Sequence, residues 1–284
     1  MRIHRRFAPF LTVVFAALAL AAAFAPPDAR SAGGTGAYAP PAAAQALKDP
    51  GVLQALKDGR SKLQSGLDEW KAEPLLAARD AFLKACVLNK AEQADLLYYV
   101  ALADYRLASY YMVTGNPAEL ERFARESQQY AQKAISLGDK SGEPAALYGM
   151  SLGTLLTVHP EEAMTLGMES FQYMGQADQQ GAGNPRVNLL HGMFMMHVPA
   201  EYGGGPDTAR AYLETAAALY EKETGGDPVK PDWGKDEAYL NLGLLYKQTS
   251  DTAKALEMFK KALAVNPKSG RTRNEIAALE KDKK

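Results

Sequence analysis

The sequence contains one cysteine, Cys86, among 284 residues. A single cysteine cannot form an intramolecular disulfide, which excludes a fold held together by disulfides. Neither histidine nor arginine lies within one helical turn of Cys86 to stabilise a thiolate. We therefore interpret Cys86 as a small buried apolar side chain and not as a reactive thiol.

An excess of positive charge is also missing. The chain has 32 Lys and Arg against 33 Asp and Glu, a formal net charge of −1. Without residues 1–31, which hold four arginines and one aspartate, the net charge falls to −4. Nucleic-acid binding needs a concentrated basic surface, so no nucleic-acid partner is predicted.

The sequence has no hydrophobic run long enough for a standard membrane span. The longest, from Phe10 to Phe24, is shorter than the about 20 residues that a transmembrane helix requires. A basic start precedes it and small residues up to Ser31 follow, which is the plan of a secretory signal peptide. Residues 1–31 are therefore predicted to be a signal peptide cleaved after Ser31, giving a periplasmic protein with no membrane span. An uncleaved N-terminal anchor is the alternative, because Pro26 and Arg30 make the cleavage site irregular.

Strand patterns are nearly absent, since almost no segment alternates apolar and polar residues with period two. Residues 32–57 form an Ala/Pro-rich linker and N-terminal segment. From residue 58 to residue 284 the pattern is one of amphipathic helices separated by short Gly, Asn, Pro and Asp breaks. The chain is predicted to be all-α.

The clearest internal unit spans residues 236–267. Small residues at Gly243 and Ala255 allow two helix backbones to approach closely, and Pro267 ends the second helix. Larger side chains fill the space around the crossing, and Ala262 leaves room for the next pair to stack. These signature positions are Tyr239, Leu242, Gly243, Tyr246, Ala255, Phe259, Ala262 and Pro267.

At every signature position this unit resembles the tetratricopeptide repeat, with Tyr239 where the family usually has Trp. The same spacing returns more faintly at Gly66, Ala78, Phe82 and Ala85, and, with a longer first step, at Gly192, Ala209, Leu213 and Ala216. The resemblance implies a right-handed α-solenoid of about five helix pairs plus a C-terminal capping helix at 271–282. The pairs are predicted at 59–92, 93–142, 143–183, 184–226 and 236–269.

The fourth unit carries an insertion, PAEYGGG, between its two helices. Its glycines allow an enlarged turn with positive φ, and Pro206 suits the first turn of the next helix. Insertions at the edge of a solenoid often make contacts. The insertion turn, Tyr202, Gly203, Gly204 and Gly205, is therefore a candidate contact site. The segments GNPRVNLL, PAEYGGG and PDWGKDEAY together resemble a group of exported bacterial tetratricopeptide proteins.

Three motifs resemble a phosphate-binding loop, a hydrolase nucleophile and a metal site, but their contexts do not fit those functions. The Gly-rich insertion lacks the lysine of a phosphate-binding loop, and no strand precedes it. Gly149 to Gly153 matches G-x-S-x-G around Ser151, but it lies in a helical pattern and not on a strand-to-helix turn. His191 pairs with Met195, and Met193 with His197, on different helix faces, so the pairs do not converge on one ion. No catalytic residue, cofactor or metal is predicted.

The helical register places a largely apolar set of side chains on the inner surface of the solenoid. These are Arg60, Leu63, Leu67, Trp70, Ala146, Met150, Leu189, Met193, Met196, Glu237, Leu240, Leu244 and Lys247. The family's groove for a peptide carboxylate uses Lys and Asn where this chain has Leu240 and Leu244. An apolar inner face is either filled by the chain itself, by residues 48–59 or neighbouring helices, or occupied by a ligand.

The predicted function is therefore a non-enzymatic scaffold of the bacterial envelope that binds a protein or peptide in an apolar concave groove. The predicted partner-binding residues are Leu63, Leu67, Trp70, Met150, Leu189, Met193, Met196, Leu240, Leu244 and Lys247. The alternative is a periplasmic carrier of a small apolar ligand that serves a transporter. The shape of the interior distinguishes them, because a closed apolar pocket favours the carrier and an open groove the scaffold.

Overall fold

The computed structural model describes Leu47 and residues 49–281, and the predicted signal peptide lies outside these residues. The described part of the chain contains eleven α-helices and no strand. They are α1 (Pro50–Glu69), α2 (Ala72–Asn89), α3 (Ala94–Thr114), α4 (Pro117–Ser136), α5 (Glu143–Leu155), α6 (Ala163–Gly181), α7 (Pro185–Met195), α8 (Pro206–Tyr220), α9 (Lys235–Gln248), α10 (Thr252–Val265) and α11 (Gly270–Lys281). None of the described helices is both long and apolar enough to cross a bilayer.

Consecutive helices pack as five pairs, α1 with α2 through α9 with α10, and α11 follows α10 as a cap. This arrangement confirms the predicted all-α solenoid. Proline at the first helical position, with an asparagine side chain as N-cap, begins α4 and α7. The Asn-Pro breaks in the sequence are therefore helix starts.

The first helix begins earlier than the predicted residue 58. The Asp49 carboxylate accepts hydrogen bonds from the backbone N–H groups of Gly51 at 2.7 Å and Val52 at 3.1 Å, and Pro50 occupies the first turn. Residues 50–57 are thus the first two turns of α1, not a linker. Val52, Ala55 and Leu56 are buried there, which explains why the segment is helical.

Glycines mark the helix crossings. A Cβ atom added at Gly192 would lie 2.7 Å from Leu213 Cγ, and one added at Gly243 would overlap the Phe259 ring. In the first pair, the glycine that packs against phenylalanine is not the one that the repeat spacing indicates. Phe82 packs against Gly59, whereas a Cβ at Gly66 would lie 2.6 Å from Leu75 Cδ2. Because the two helices are antiparallel, Gly66, two helical turns nearer the connection between them, meets Leu75 instead.

The insertion turn is compact. Residues Ala200–Tyr202 form a single 3₁₀ turn, and Gly203 and Gly205 have φ values of 83° and 90°. Gly204 instead packs so closely against Val198 that a side chain would not fit. The prediction of positive φ holds for two of the three glycines, and the third serves close packing.

The two ends of the array meet. The Asn266 side-chain amide, directly after α10, donates to Asp68 Oδ1 in α1 and to Asp236 Oδ2 in α9, both at 2.8 Å. At the start of α11, a Cβ added at Gly270 would lie 2.9 Å from the Asp68 carbonyl oxygen. The five pairs therefore wind around an interior that the last unit closes against the first.

Candidate binding cleft

The segment between α8 and α9, residues 221–234, is exposed over most of its length and enters the interior only at Trp233 and Gly234. Trp233 in this segment is 8% exposed, and its indole N–H donates to the Tyr98 hydroxyl of α3 at 2.8 Å. The Tyr220 hydroxyl donates to the Trp233 carbonyl oxygen at 3.0 Å. Part of the interior is therefore filled by the chain itself, through Trp233 and the buried residues of α3.

Two buried arginines contact the two ends of this segment. Arg106 of α3 lies 2.7 Å from Glu237 of α9, and its guanidinium carbon is 4.8 Å from the Trp233 ring centroid. Arg186 of α7 bonds Glu143 at 2.9 Å and also pairs with Glu223 at the start of the segment. Each cation is buried together with a carboxylate, as burial of charge requires.

A cleft of about 760 Å³ lies between α1 and residues 228–233. Its apolar wall consists of Leu53, Leu63 and Leu67 from α1, facing the rings of Tyr99 and Trp233. The other lining residues are Pro50, Gln54, Lys57, Arg60, Ser61, Gln64, Arg106, Pro228 and Asp232. The cleft thus combines an apolar wall, two aromatic rings and three cationic side chains.

Three polar contacts close one side of the cleft. Arg60 Nε donates to Asp232 Oδ1 at 3.0 Å, and Arg60 Nη1 donates to the Pro228 carbonyl oxygen at 2.9 Å. The Tyr99 hydroxyl donates to the Val229 carbonyl oxygen at 2.8 Å. Burial raises the pKa of Tyr99, so this hydroxyl keeps its proton and remains a donor.

The predicted groove residues occupy different environments. Leu63 and Leu67 line the cleft. Met150, Leu189 and Leu240 are buried in the packed core. The half-buried residues are Trp70, Met193, Met196, Leu244 and Lys247, as is Tyr202 of the insertion turn. Leu189 is fully buried, with Gly234 packed against it, and Leu240 is 6% exposed, so neither lines an open groove in the described structure.

The sequence interpretation did not identify Tyr99, Arg106 and Trp233 as interior residues. Tyr99 and Arg106 lie on a helix that is buried on nearly every side, where periodicity gives no inner face. The signal for Trp233 was present, since a tryptophan in a Gly- and Pro-rich break is out of place on a solvent-exposed loop. It follows that a bulky aromatic residue in such a break indicates a segment that folds inward.

Ser151 has the surroundings of a structural residue. It is fully buried in α5, and its hydroxyl donates to Ser127 Oγ at 2.9 Å. Ser127 in turn donates to the Ala101 carbonyl oxygen at 2.9 Å. This chain of hydroxyls joins three helices in the core and gives Ser151 no access to a substrate.

Neither the histidines nor the cysteine form a reactive centre in the described structure. His191 Nδ1 lies 2.8 Å from Asp178, and its ring stacks on Tyr212 with centroids 4.0 Å apart. Of the described residues, His159, Glu161 and Glu162 could place three ligand atoms near one metal ion, on a turn that exposes both glutamates. Burial raises the pKa of the Cys86 thiol to about 11, which favours the unreactive thiol form.

Comparisons with known proteins agree with this architecture. Residues 236–269 match the model of the tetratricopeptide repeat family. No curated protein matches the sequence. The HusA haemophore from Porphyromonas gingivalis superimposes with a TM-score of 0.56 at 27% identity, covering 68% of this chain and 93% of that one.

A second structure supports the fold alone. A thermophilic tetratricopeptide protein of Thermus thermophilus superimposes with a TM-score of 0.52 at 17% identity, covering 78% of this chain and 98% of that one. Proteins of this superfamily are generally scaffolds without catalytic activity. Residues 236–269 are therefore a tetratricopeptide repeat, and the five helix pairs give the described chain a fold similar to that of tetratricopeptide proteins.

Proposed function

We propose that the protein is a non-catalytic carrier of the bacterial envelope that holds a small, mostly apolar, anionic ligand in the interior cleft. The observation that carries this proposal is the cleft itself, about 760 Å³ in volume and covered on one side by residues 228–233. Sites for small molecules commonly have about 300–1,000 Å³ and mostly apolar walls with a few polar groups. The cleft is open to solvent beside Pro50, Lys57 and Ser61, and its size favours a small ligand over an extended peptide.

The charges of the cleft favour an anion. Two of its three cations have carboxylate partners, Arg60 with Asp232 and Arg106 with Glu237. Lys57 lines the same cleft and makes no ion pair with the described residues. A carboxylate on the ligand would therefore complement Lys57, while its apolar body lies against the leucines of α1 and the ring of Tyr99.

The structural similarity to a haemophore supports a definite ligand class. Haem is a flat, largely apolar ring with carboxylates along one edge, a combination that matches the cleft's aromatic wall and basic lining. We therefore propose a tetrapyrrole that carries carboxylates as the ligand class.

The test is a titration with haemin and with metal-free protoporphyrin, followed by quenching of Trp233 fluorescence. The chain has two tryptophans, so Trp70→Phe makes Trp233 the single reporter. Lys57→Met should weaken binding by up to about fivefold, the effect of one solvent-exposed ion pair. Lys62→Met is the matched control, because Lys62 is on the same helix but does not line the cleft. Absence of quenching, or equal affinities of the two variants, would refute the proposal.

Export is part of the proposal and rests on residues 1–31. Expression in a Gram-negative host followed by periplasmic extraction should recover a chain that begins at Ala32, as read from its intact mass. A product that retains residues 1–31 in the membrane fraction would instead support the uncleaved anchor.

A second candidate function is a scaffold for an envelope protein or peptide, and the repeat at 236–269 favours it. Leu244 and Lys247 in this repeat, and Met193 and Met196 in and after α7, are half-buried and remain candidate contacts. A photocrosslinker at Leu244 or Met193 should capture a distinct protein in cells if this function operates. Crosslinks confined to the protein's own chain would count against it.

A further inference from the structure

We propose that residues 227–232, here called the lid, partly cover the cleft and move outward when a ligand enters or leaves. This inference rests on the proposed carrier function and concerns how access to the same cleft is controlled. It assigns Arg60 and Tyr99 as the latch that holds the lid shut.

The lid is attached to the first helix pairs by few contacts. Its hydrogen bonds to other parts of the described chain are the two from Arg60, to Asp232 and to the Pro228 carbonyl oxygen, and the one from Tyr99 to Val229. The Asp232 side chain is 68% exposed. The two Arg60 contacts are exposed and the Tyr99 contact is a single part-buried hydrogen bond. All three can break without disturbing the core, because exposed ion pairs and single hydrogen bonds contribute little to stability.

The two ends of the lid are held very differently. On the C-terminal side, Trp233 is buried and hydrogen-bonded to Tyr98, and Gly234 has a φ of 105°. On the N-terminal side, Gly225 and Gly226 have no atom within 4 Å of an added Cβ, and Gly226 has a φ of 140°. The segment is therefore fixed at Trp233 and free to change direction at the two glycines.

Outward movement of the lid would open the cleft directly. Pro228 and Asp232 line it on the side opposite Leu53, Leu63 and Leu67. Release of Arg60 would also free its guanidinium to meet an incoming carboxylate. The latch and the ligand thus compete for the same cation, so an anionic ligand itself favours opening.

The experiment measures association and dissociation rates of haemin by stopped-flow quenching of Trp233. Tyr99→Phe removes one hydrogen bond to the lid and changes no charge, and Asp232→Asn removes the ion pair. Both variants should associate and dissociate faster than the wild type, by about two- to fivefold. A lost ligand contact without a lid would speed dissociation alone. Asp207→Asn is the matched control, since Asp207 is an exposed residue of α8 that does not line the cleft.

The outcomes separate this inference from the proposed function. If the wild type binds haemin and both variants associate no faster than Asp207→Asn, the lid is refuted and the carrier function stands. If the wild type binds neither haemin nor metal-free protoporphyrin, the carrier function fails and the lid fails with it. Faster association of Tyr99→Phe in particular supports the lid, because electrostatic steering cannot explain it.

Discussion

Replacing Gly192 by alanine tests the packing on which the helix pairs depend. In a solvent-exposed helix interior, alanine in place of glycine stabilises by about 1 kcal/mol, because glycine loses more backbone entropy on folding. At Gly192 the new Cβ would lie 2.7 Å from Leu213 Cγ and 3.2 Å from Leu213 N. Favourable contacts between carbon atoms lie at about 3.5–4.0 Å, so α7 and α8 would have to separate.

The steric cost should exceed the gain in helix propensity. Overpacking a well-packed core costs about 1–3 kcal/mol, and Leu213 is fully buried, which places Gly192→Ala toward the upper end. The net loss of unfolding free energy should be about 1–2 kcal/mol. Gly175→Ala is the matched control, since Gly175 lies within α6 and an added Cβ there meets no atom within 4 Å. That variant should gain about 1 kcal/mol.

Urea unfolding followed by circular dichroism at the helix band measures both variants. Combining Gly192→Ala with Leu213→Ala should cost less than the sum of the two single variants, because the smaller side chain leaves space for the new methyl group. If Gly192→Ala were as stable as Gly175→Ala, the close crossing of α7 and α8 would be refuted. The glycine signature would then have another explanation.

Three further predictions follow from the described contacts. Ser151→Ala should leave porphyrin binding unchanged and lower the free energy of unfolding in urea by about 1 kcal/mol, because only its hydrogen bond to Ser127 is lost. Loss of a cellular activity in a folded Ser151→Ala variant would instead indicate catalysis. Burial raises the pKa of Asp104 to about 7, whereas the unfolded chain releases that proton near pH 4. The unfolding free energy should therefore fall by up to about 4 kcal/mol between pH 4 and 7, and urea titrations of Asp104→Asn should lack this slope. The affinities for haemin and for metal-free protoporphyrin should differ by less than about tenfold, because Tyr99 is protonated and the described lining of the cleft lacks His, Cys and Met. A much higher affinity for haemin would indicate that a side chain ligates the iron.

The sequence predicts the order of the helices well because each helix pair is a local structure. The breaks at Asn116, Asn184 and Asp251 supply N-cap side chains, and the capping helix is predicted one residue from its observed start at Gly270. Such signals act over a few residues and can be read from spacing alone.

Features that depend on distant contacts were not predictable in the same way. The early start of α1 depends on burial of Val52 and Leu56, and the register of the first pair depends on which glycine of α1 meets Phe82. The filling of the interior brings Trp233 to Tyr98 and Arg60 to Asp232, residues far apart in the chain. Repeat spacing describes each unit and its neighbour, so it does not report how the whole array closes.

The bond network around Asn266, which ties Asp68 to Asp236, has a consequence for how this protein can evolve. Most solenoids can gain or lose units because each unit contacts only its neighbours. In this protein a duplicated helix pair would separate the last unit from the first, and the hydrogen bond from Asn266 to Asp68 would be lost. The number of units is therefore constrained by geometry, and descendants of this protein are expected to diversify by substitution in the cleft instead of by lengthening.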